Sequence, residues 1–269
     1  VTTSDAGAGV GYTGFRIRGS DPTRINVTVN GIPLNDSESQ GVWWVNMPDF
    51  TSSVDNIQIQ RGVGTSTNGA SAFGASVNLK TTGLNKDAYV RSSNTFGSYN
   101  TLKNNVEFGT GLLKNKFAFD GRLSQISSDG YMDRATSNLR SFYLSAGYFG
   151  KNEMLKAIIF SGHERTYQAW YGVPLNYLDS ARTYNPYTYD NEVDNYGQTH
   201  YQLHYSKKVK ENTNVNISAH YTHGEGYYEQ FKSGEDLADY GLENILIGND
   251  TIASTDLIRR KWLNNDFGG

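Results

Sequence analysis

The sequence predicts a mixed, mainly-β chain: a small globular α+β unit, then the first strands of a large antiparallel transmembrane β-barrel. Three observations carry this. Val54 to Thr82 holds two period-two alternations, Ile57-Gln58-Ile59-Gln60 and Val77-Asn78-Leu79-Lys80, joined by a crossing that contains Gly62, Gly64, Gly69 and Gly74. Two half-buried strands with a tight glycine-rich connection read this way. From Asp87 onward, alternating segments of about ten residues follow one another, the length a tilted membrane strand requires. Their connections alternate between short and long, as the periplasmic turns and outer loops of outer-membrane barrels do.

Composition narrows the function classes. A net charge of -3 gives no basic field for nucleic acid. With 0 Cys there is no disulfide framework and no thiolate metal site. No apolar run is long enough for a membrane helix. A hydrophobic content of 37% still suits a barrel, in which only alternate residues meet lipid. The start, Val1-Thr2-Thr3-Ser4, lacks the charged and apolar parts of a signal peptide. The expectation is a mature, truncated or partial chain.

Taken in order, Val1 to Gly14 is small, polar and glycine-rich and reads as a loop. Phe15-Arg16-Ile17-Arg18-Gly19 carries a strand signal. So does Ile25 to Leu34, in which Asn30-Gly31 is a strong hairpin turn. Asp36 to Pro48, DSESQGVWWVNMP, is loop-like, with two adjacent tryptophans. The ordered set RIRG, VTVNGIPL, VDNIQIQRG and FGASVNLKTT, spanning roughly Val10 to Thr82, resembles the plug domain of TonB-dependent outer-membrane receptors. The chain departs from that pattern at Val63, where a proline often stands. It departs again at Thr67-Asn68-Gly69, where Leu-Tyr-Gly is common, and at Gly74-Ala75-Ser76, where paired glycines are.

Beyond the plug, the alternation continues. Leu102, Val106, Phe108 and Leu112 alternate with Lys103, Asn105 and Glu107; Phe117, Phe119 and Leu123 with Asp120, Arg122 and Ser124. Phe142, Leu144, Ala146 and Tyr148 form another such face, followed by Tyr201, Leu203 and Tyr205, and by Val215, Ile217, Ala219 and Tyr221. A short first loop is expected at 97–100, the one exception to the alternation; short turns follow at 113–116, 150–153 and 208–212, with progressively longer outer loops at 127–138, 164–195 and 224–256. The first strand, near Ala88 to Phe96, should run outward. Roughly eight strands result, the last near Leu257 to Phe267, too few to close around a plug of this size. The resemblance implies a barrel of about twenty-two strands, so the division expected is a plug over 1–82 and the N-terminal part of the barrel over 83–269.

No chemistry-bearing set stands out. The glycine-rich 62–74 lacks the Gly-Lys-Ser/Thr ending of a phosphate loop. His200 and His204 share a strand face but stand about 13 Å apart, too far to share a metal. Asp236, Asp239 and Glu243 read as a solvated acidic loop, or one stiffened by calcium without the spacing of a known motif. No Ser or Asp with a partnered His marks a hydrolase, and the resemblance implies that no chemistry is done on the substrate, so neither enzyme activity nor a cofactor is expected. The resemblance implies instead an importer in the outer membrane, energised by TonB and its inner-membrane complex. It also implies that the plug arginines of the RG motifs, Arg18 and Arg61 here, pair with glutamates on barrel strands outside this chain.

In the resembled plugs the loop after NGIPL lies at the outer apex. Here that loop offers Glu38, Gln40, Trp43, Trp44 and Asn46: polar groups for orientation and flat aromatics for contact. The tryptophans either meet a ligand or prop the loop against the wall. Ligands of the resembled family include siderophores, other metal complexes, glycans and peptides. The glycan-importing branch usually carries VVDG and an Asp-Ala-Ser run, where Asn30-Gly31 and Gly64-Thr65-Ser66 stand here. That leans toward a siderophore or metal complex, with a glycan or peptide importer, or a non-transporting scaffold or adhesion barrel, as alternatives. Expected partners are TonB, a small extracellular ligand, outer-membrane lipid, and a surface lipoprotein or other outer-membrane subunit.

Overall fold

The computed structural model describes residues 2–3, 10–62 and 73–269. After two short paired strands, β1 (Thr2–Thr3) and β2 (Gly14–Phe15), four strands form the N-terminal sheet: β3 (Ile25–Val29), β4 (Ile32–Pro33), β5 (Val54–Arg61) and β6 (Ala75–Thr81). Their order is β4-β3-β6-β5, with β3 parallel to β6 and the other pairs antiparallel. Asn30 and Gly31 take φ of 55° and 83°, the two left-handed residues that a tight hairpin needs. Most of the glycine-rich crossing, including Gly64 and Gly69, lies outside the described residues.

One face of this sheet is apolar. Ile25, Val27 and Val29 stand in register with Ala75, Val77 and Leu79, and all are buried. Ile57 and Ile59 are in register with Leu79 and Val77, yet they are 50% and 58% exposed. The alternation at Ile57 to Gln60 does form a strand, but the expectation that it is half-buried is corrected here. β5 is the edge of the sheet, and no described element covers that end of the face. The expected strand at Phe15 to Gly19 also differs. Only Gly14–Phe15 is strand, and Arg18 and Gly19 are left-handed, with Ser20 N donating to Ile17 O at 3.0 Å. The RIRG stretch is therefore a turn, which the alternation of its side chains disguises.

The second sheet has eight antiparallel strands: β7 (Ala88–Gly97), β8 (Thr101–Thr110), β9 (Phe117–Ser128), β10 (Ser137–Phe149), β11 (Glu153–Tyr167), β12 (Val193–Lys210), β13 (Thr213–Asp236) and, after a hairpin of β14 (Ile245–Ile247) and β15 (Asp250–Ile252), β16 (Ser254–Gly268). Sequence neighbours pair throughout the eight. Phe117, Phe119 and Leu123 point outward and are exposed, while Ala118, Asp120, Arg122 and Ser124 are buried. The connection expected over 224–256 is mostly strand. β13 runs on to Asp236, well beyond the ten or so residues that cross a bilayer. Gly224 and Gly226, which read as loop, serve close packing: a Cβ on Gly224 would stand 2.0 Å from the Tyr196 hydroxyl oxygen.

The wall and the small sheet share one hydrophobic core. Tyr143 of β10 and Ile158 and Phe160 of β11 pack with Val27, Val77, Met47 and Phe50, and the Phe50 and Phe160 rings are 4.9 Å apart. At 25 cal/mol per Å², burying such side chains stabilises by about 1.5–3 kcal/mol each. The small sheet is thereby pressed against the inner, concave side of the wall.

Candidate functional site

Polar groups join the inner unit to the wall at several places, Asn30 to Gln202 and Lys156 to Thr82 among them, and two are built more extensively. The first centres on Asp49, in the turn before a short 3-10 helix, with φ of 56°. Its carboxylate is 2% exposed and faces Lys103 of β8 and Arg122 of β9. Arg122 Nη1 donates to Oδ2 at 3.2 Å; Asn105 Nδ2 and Ser124 Oγ each donate to Oδ2 at 2.7 Å. Ser52 Oγ donates to Oδ1 at 2.6 Å. Burial pushes the Asp49 carboxyl up, but the hydrogen bonds from Lys103, Ser52, Ser124 and Asn105 outweigh it and hold the group below the ordinary carboxylate value. The inner unit therefore supplies the anion and the wall the cations.

Arg18 and Arg61, expected to pair with wall glutamates outside this chain, are exposed and have no ion pair among the described residues. Asp49 was not singled out, because a carboxylate in a turn carries no signal of its own. Arg122, a charge at an inward-facing strand position, was the sequence clue to this junction.

The second place is a cavity of about 550 Å³ between the loop after β4, the adjoining ends of β11 and β12, the middle of β13 and the last residues of β16. The loop is well defined. Asn35 anchors it to β3, accepting from Val27 N at 2.8 Å and donating to Ile25 O at 2.9 Å. Asp36 Oδ1 accepts from the backbone N–H groups of Glu38 and Ser39 at 2.9 and 2.7 Å, which closes a turn. Asn265 of β16 donates to the other Asp36 oxygen. Burial raises the Asp36 carboxyl, and the bonds from Ser39, Asn265 and Glu38 bring it below its ordinary value. Gly162 of β11 lets the loop lie on the wall, since a Cβ there would stand 2.1 Å from Asn46 O.

Of the residues proposed from sequence, Glu38, Trp43 and Asn46 border this cavity. Trp43 is 57% exposed, whereas Asn46 is buried in the floor. Gln40 and Trp44 do not border it. Gln40 takes φ of 60° and its side chain donates to Ser37 O at 3.0 Å. The Trp44 ring packs against Phe15, centroids 5.4 Å apart, and props the loop from beneath. Of the two adjacent tryptophans, Trp44 props the loop and Trp43 faces the cavity.

The wall supplies residues the sequence reading missed. Glu164 of β11, Asp194, Tyr196 and Gln198 of β12, and Tyr228 of β13 line the same space. Tyr12 donates its hydroxyl proton to Asp194 Oδ2, and Thr166 donates to Glu164 Oε2 at 3.0 Å. Burial, then the nearby Glu164 and Asp194 charges, push the Tyr12 phenol far up, so it stays a donor. Trp170, in the connection after β11, meets Tyr12, Tyr187 and Tyr228 edge-on at 6.5, 6.4 and 5.9 Å and roofs one side. No grouping of His, Asp and Glu among the described residues is arranged to hold a metal ion. The arrangement suits reversible capture of a small molecule: aromatic area, carboxylates and amides in one concavity.

Comparisons with known proteins bear on the fold. Residues 1–76 match the family model described as the TonB-dependent Receptor Plug Domain. No curated protein sequence matches. The fold is similar to that of the ferric citrate transporter FecA in its unliganded form, with a TM-score of 0.70 and 18% identity, covering 86% of this chain and 37% of that one. It is similar also to the ferric-catecholate import receptor Fiu from E. coli K12 in its closed form, with a TM-score of 0.64 and 14% identity over 94% of this chain and 35% of that one. A third, FpvA of P. aeruginosa bound to a heterologous pyoverdine with iron, gives a TM-score of 0.68 and 13% identity over 87% and 31%. The chain spans about a third of the length of each. The chain thus carries a TonB-dependent Receptor Plug Domain match over residues 1–76 and, across the inner sheet and the surrounding wall, the fold of the receptors just named.

Proposed function

We propose that this chain is the plug, residues 1–82, and the first part of the barrel, residues 83–269, of an active transporter that binds a scarce extracellular nutrient and imports it with energy from TonB. The observation that carries this reading is the cavity between the plug loop Asp36–Met47 and the inner face of the wall strands β11, β12, β13 and β16. A ligand held there rests directly on the plug, and movement of the plug is what would admit it. Ferric citrate, ferric catecholates and pyoverdines appear in the names of proteins with the same fold, which supports a metal complex as the nutrient. No bond of the nutrient is made or broken, and no cofactor is required.

Glu38, Trp43 and Asn46 would form the floor of the site. Arg18 and Arg61 would hold the plug against wall strands beyond this chain, complementing Asp49 on the near side. The surrounding partners would be lipid, TonB with its inner-membrane complex, and a surface lipoprotein or other outer-membrane subunit at the outer loops. The test is uptake of the receptor's nutrient by cells with and without TonB. Uptake should fall to background without TonB; uptake that persists unchanged would reject active import and favour a passive pore or scaffold.

A further inference from the structure

We propose that the cavity takes a ligand that presents an ammonium or guanidinium group to its inner end, and not an anionic ferric chelate; this rests on the reading of the cavity as the ligand site. The described residues lining it include Asp36, Glu38, Glu164 and Asp194, and no Lys, Arg or His. Glu164 is 2% exposed, and neither it nor Asp194 has a basic group within ion-pair distance among the described residues. One oxygen of Asp194 accepts from Tyr12, while the other, Oδ1, is buried with no hydrogen-bond partner.

Such groups are costly to bury unless a cation or further donors meet them. Elsewhere the same chain supplies the cation: Asp49 is met by both Lys103 and Arg122. At the cavity no described residue supplies the compensating charge, and an entering ligand can. The remaining lining has the same preference. Trp43, Trp170, Tyr196 and Tyr228 border the space in which the carboxylates stand. Aromatic faces beside carboxylates attract an ammonium or guanidinium group by charge and by the ring quadrupole together. An anion entering the same space would meet like charges, an arrangement that excludes wrong partners by several kcal/mol. A metal complex remains compatible when its organic part carries amines and its net charge is positive.

The experiment uses the complete receptor, purified in detergent, with three probes: spermidine as a polycation, ferric citrate as an anionic chelate and maltotriose as a neutral polyol. Tryptophan fluorescence is the readout, because Trp43 and Trp170 line the cavity. Spermidine should change the signal saturably, bind more weakly as salt is raised, and lose about tenfold or more in affinity in the Glu164→Gln, Asp194→Asn double variant. Ferric citrate and maltotriose should give no saturable change. Saturable binding of either of these, sensitive to Trp43→Ala, without binding of spermidine overturns the charge class and leaves the site standing. Absence of binding by all three probes, or binding indifferent to Trp43→Ala, overturns the site and the charge class together. Should the double variant fail to fold, the salt dependence and probe order of the unaltered receptor decide the question alone.

Discussion

Replacing Asp49 by Asn should loosen the plug from the wall by roughly 3–5 kcal/mol, the usual cost of removing one partner from a buried ion pair. The magnitude is set by Arg122. Its side chain is 3% exposed and that of Asp49 2%, so a guanidinium left without its carboxylate cannot recover water. Lys103 contributes less, because at 30% exposure its ammonium can rehydrate. An Asn amide would also turn an NH₂ toward groups that now donate to the carboxylate, Lys103 and Ser52 at one oxygen or Arg122, Asn105 and Ser124 at the other. The loss should appear as plug release at lower urea in the complete receptor, read by protease cleavage within the plug while the barrel stays intact. Arg122→Met should cost a similar amount. The double variant should recover at least half of the summed loss, since two neutral groups can pack where one orphaned charge cannot. Losses that add to within about 0.5 kcal/mol would refute the coupling and with it this account of the junction.

The same carboxylate gives a pH dependence of definite sign. Its value in the folded plug lies below the unfolded one because of its hydrogen bonds. Its contribution is therefore fully present above the unfolded carboxylate range, near pH 4, and is lost as pH falls through the folded value. Plug release in the unaltered receptor should become easier in that acidic window, and the Asp49→Asn variant should lack this part of the dependence.

Further outcomes follow from the same geometry. Ile217 is 60% exposed on the outer face of β13, so Ile217→Arg should cost up to roughly 2–4 kcal/mol in lipid-embedded receptor unfolded by urea, whereas Asn216→Arg on the inner face should cost far less. Trp43→Ala should weaken ligand binding with little change in plug release, while Trp44→Ala should ease plug release through the lost contact with Phe15; the opposite assignment would exchange their roles. Gly162→Val should displace the Asp36–Met47 loop, since even a Cβ would meet Asn46 O at 2.1 Å, and should lower ligand affinity and plug retention together, measured by titration and by the protease assay.

What could be read from the sequence depends on which side of each strand was asked about. Phe117 and Phe119 against Asp120 and Arg122 announce a strand because one face meets lipid and the other a polar interior. Where the wall touches the plug, that contrast disappears. In Met154 to Phe160, Leu155, Ala157 and Ile159 stand on one face and Ile158 and Phe160 on the other, packed into the plug core. Both faces are apolar, the period of two vanishes, and β11 cannot be recognised as a half-buried strand. Its continuation then passed for the start of a loop, which hid Glu164 from the candidate site. The Asp36–Asn46 loop could be singled out because paired tryptophans in a polar stretch are unusual. The separate tasks of Trp43 and Trp44 could not, because a short 3-10 helix begins between them and turns one ring to the cavity and the other to Phe15. Asp49 and Arg122 lie 73 residues apart and meet only once the plug is seated inside the curved sheet. Local pattern specifies each strand; the seating of one sheet within the other creates both the buried ion pair and the cavity, features that no single segment encodes.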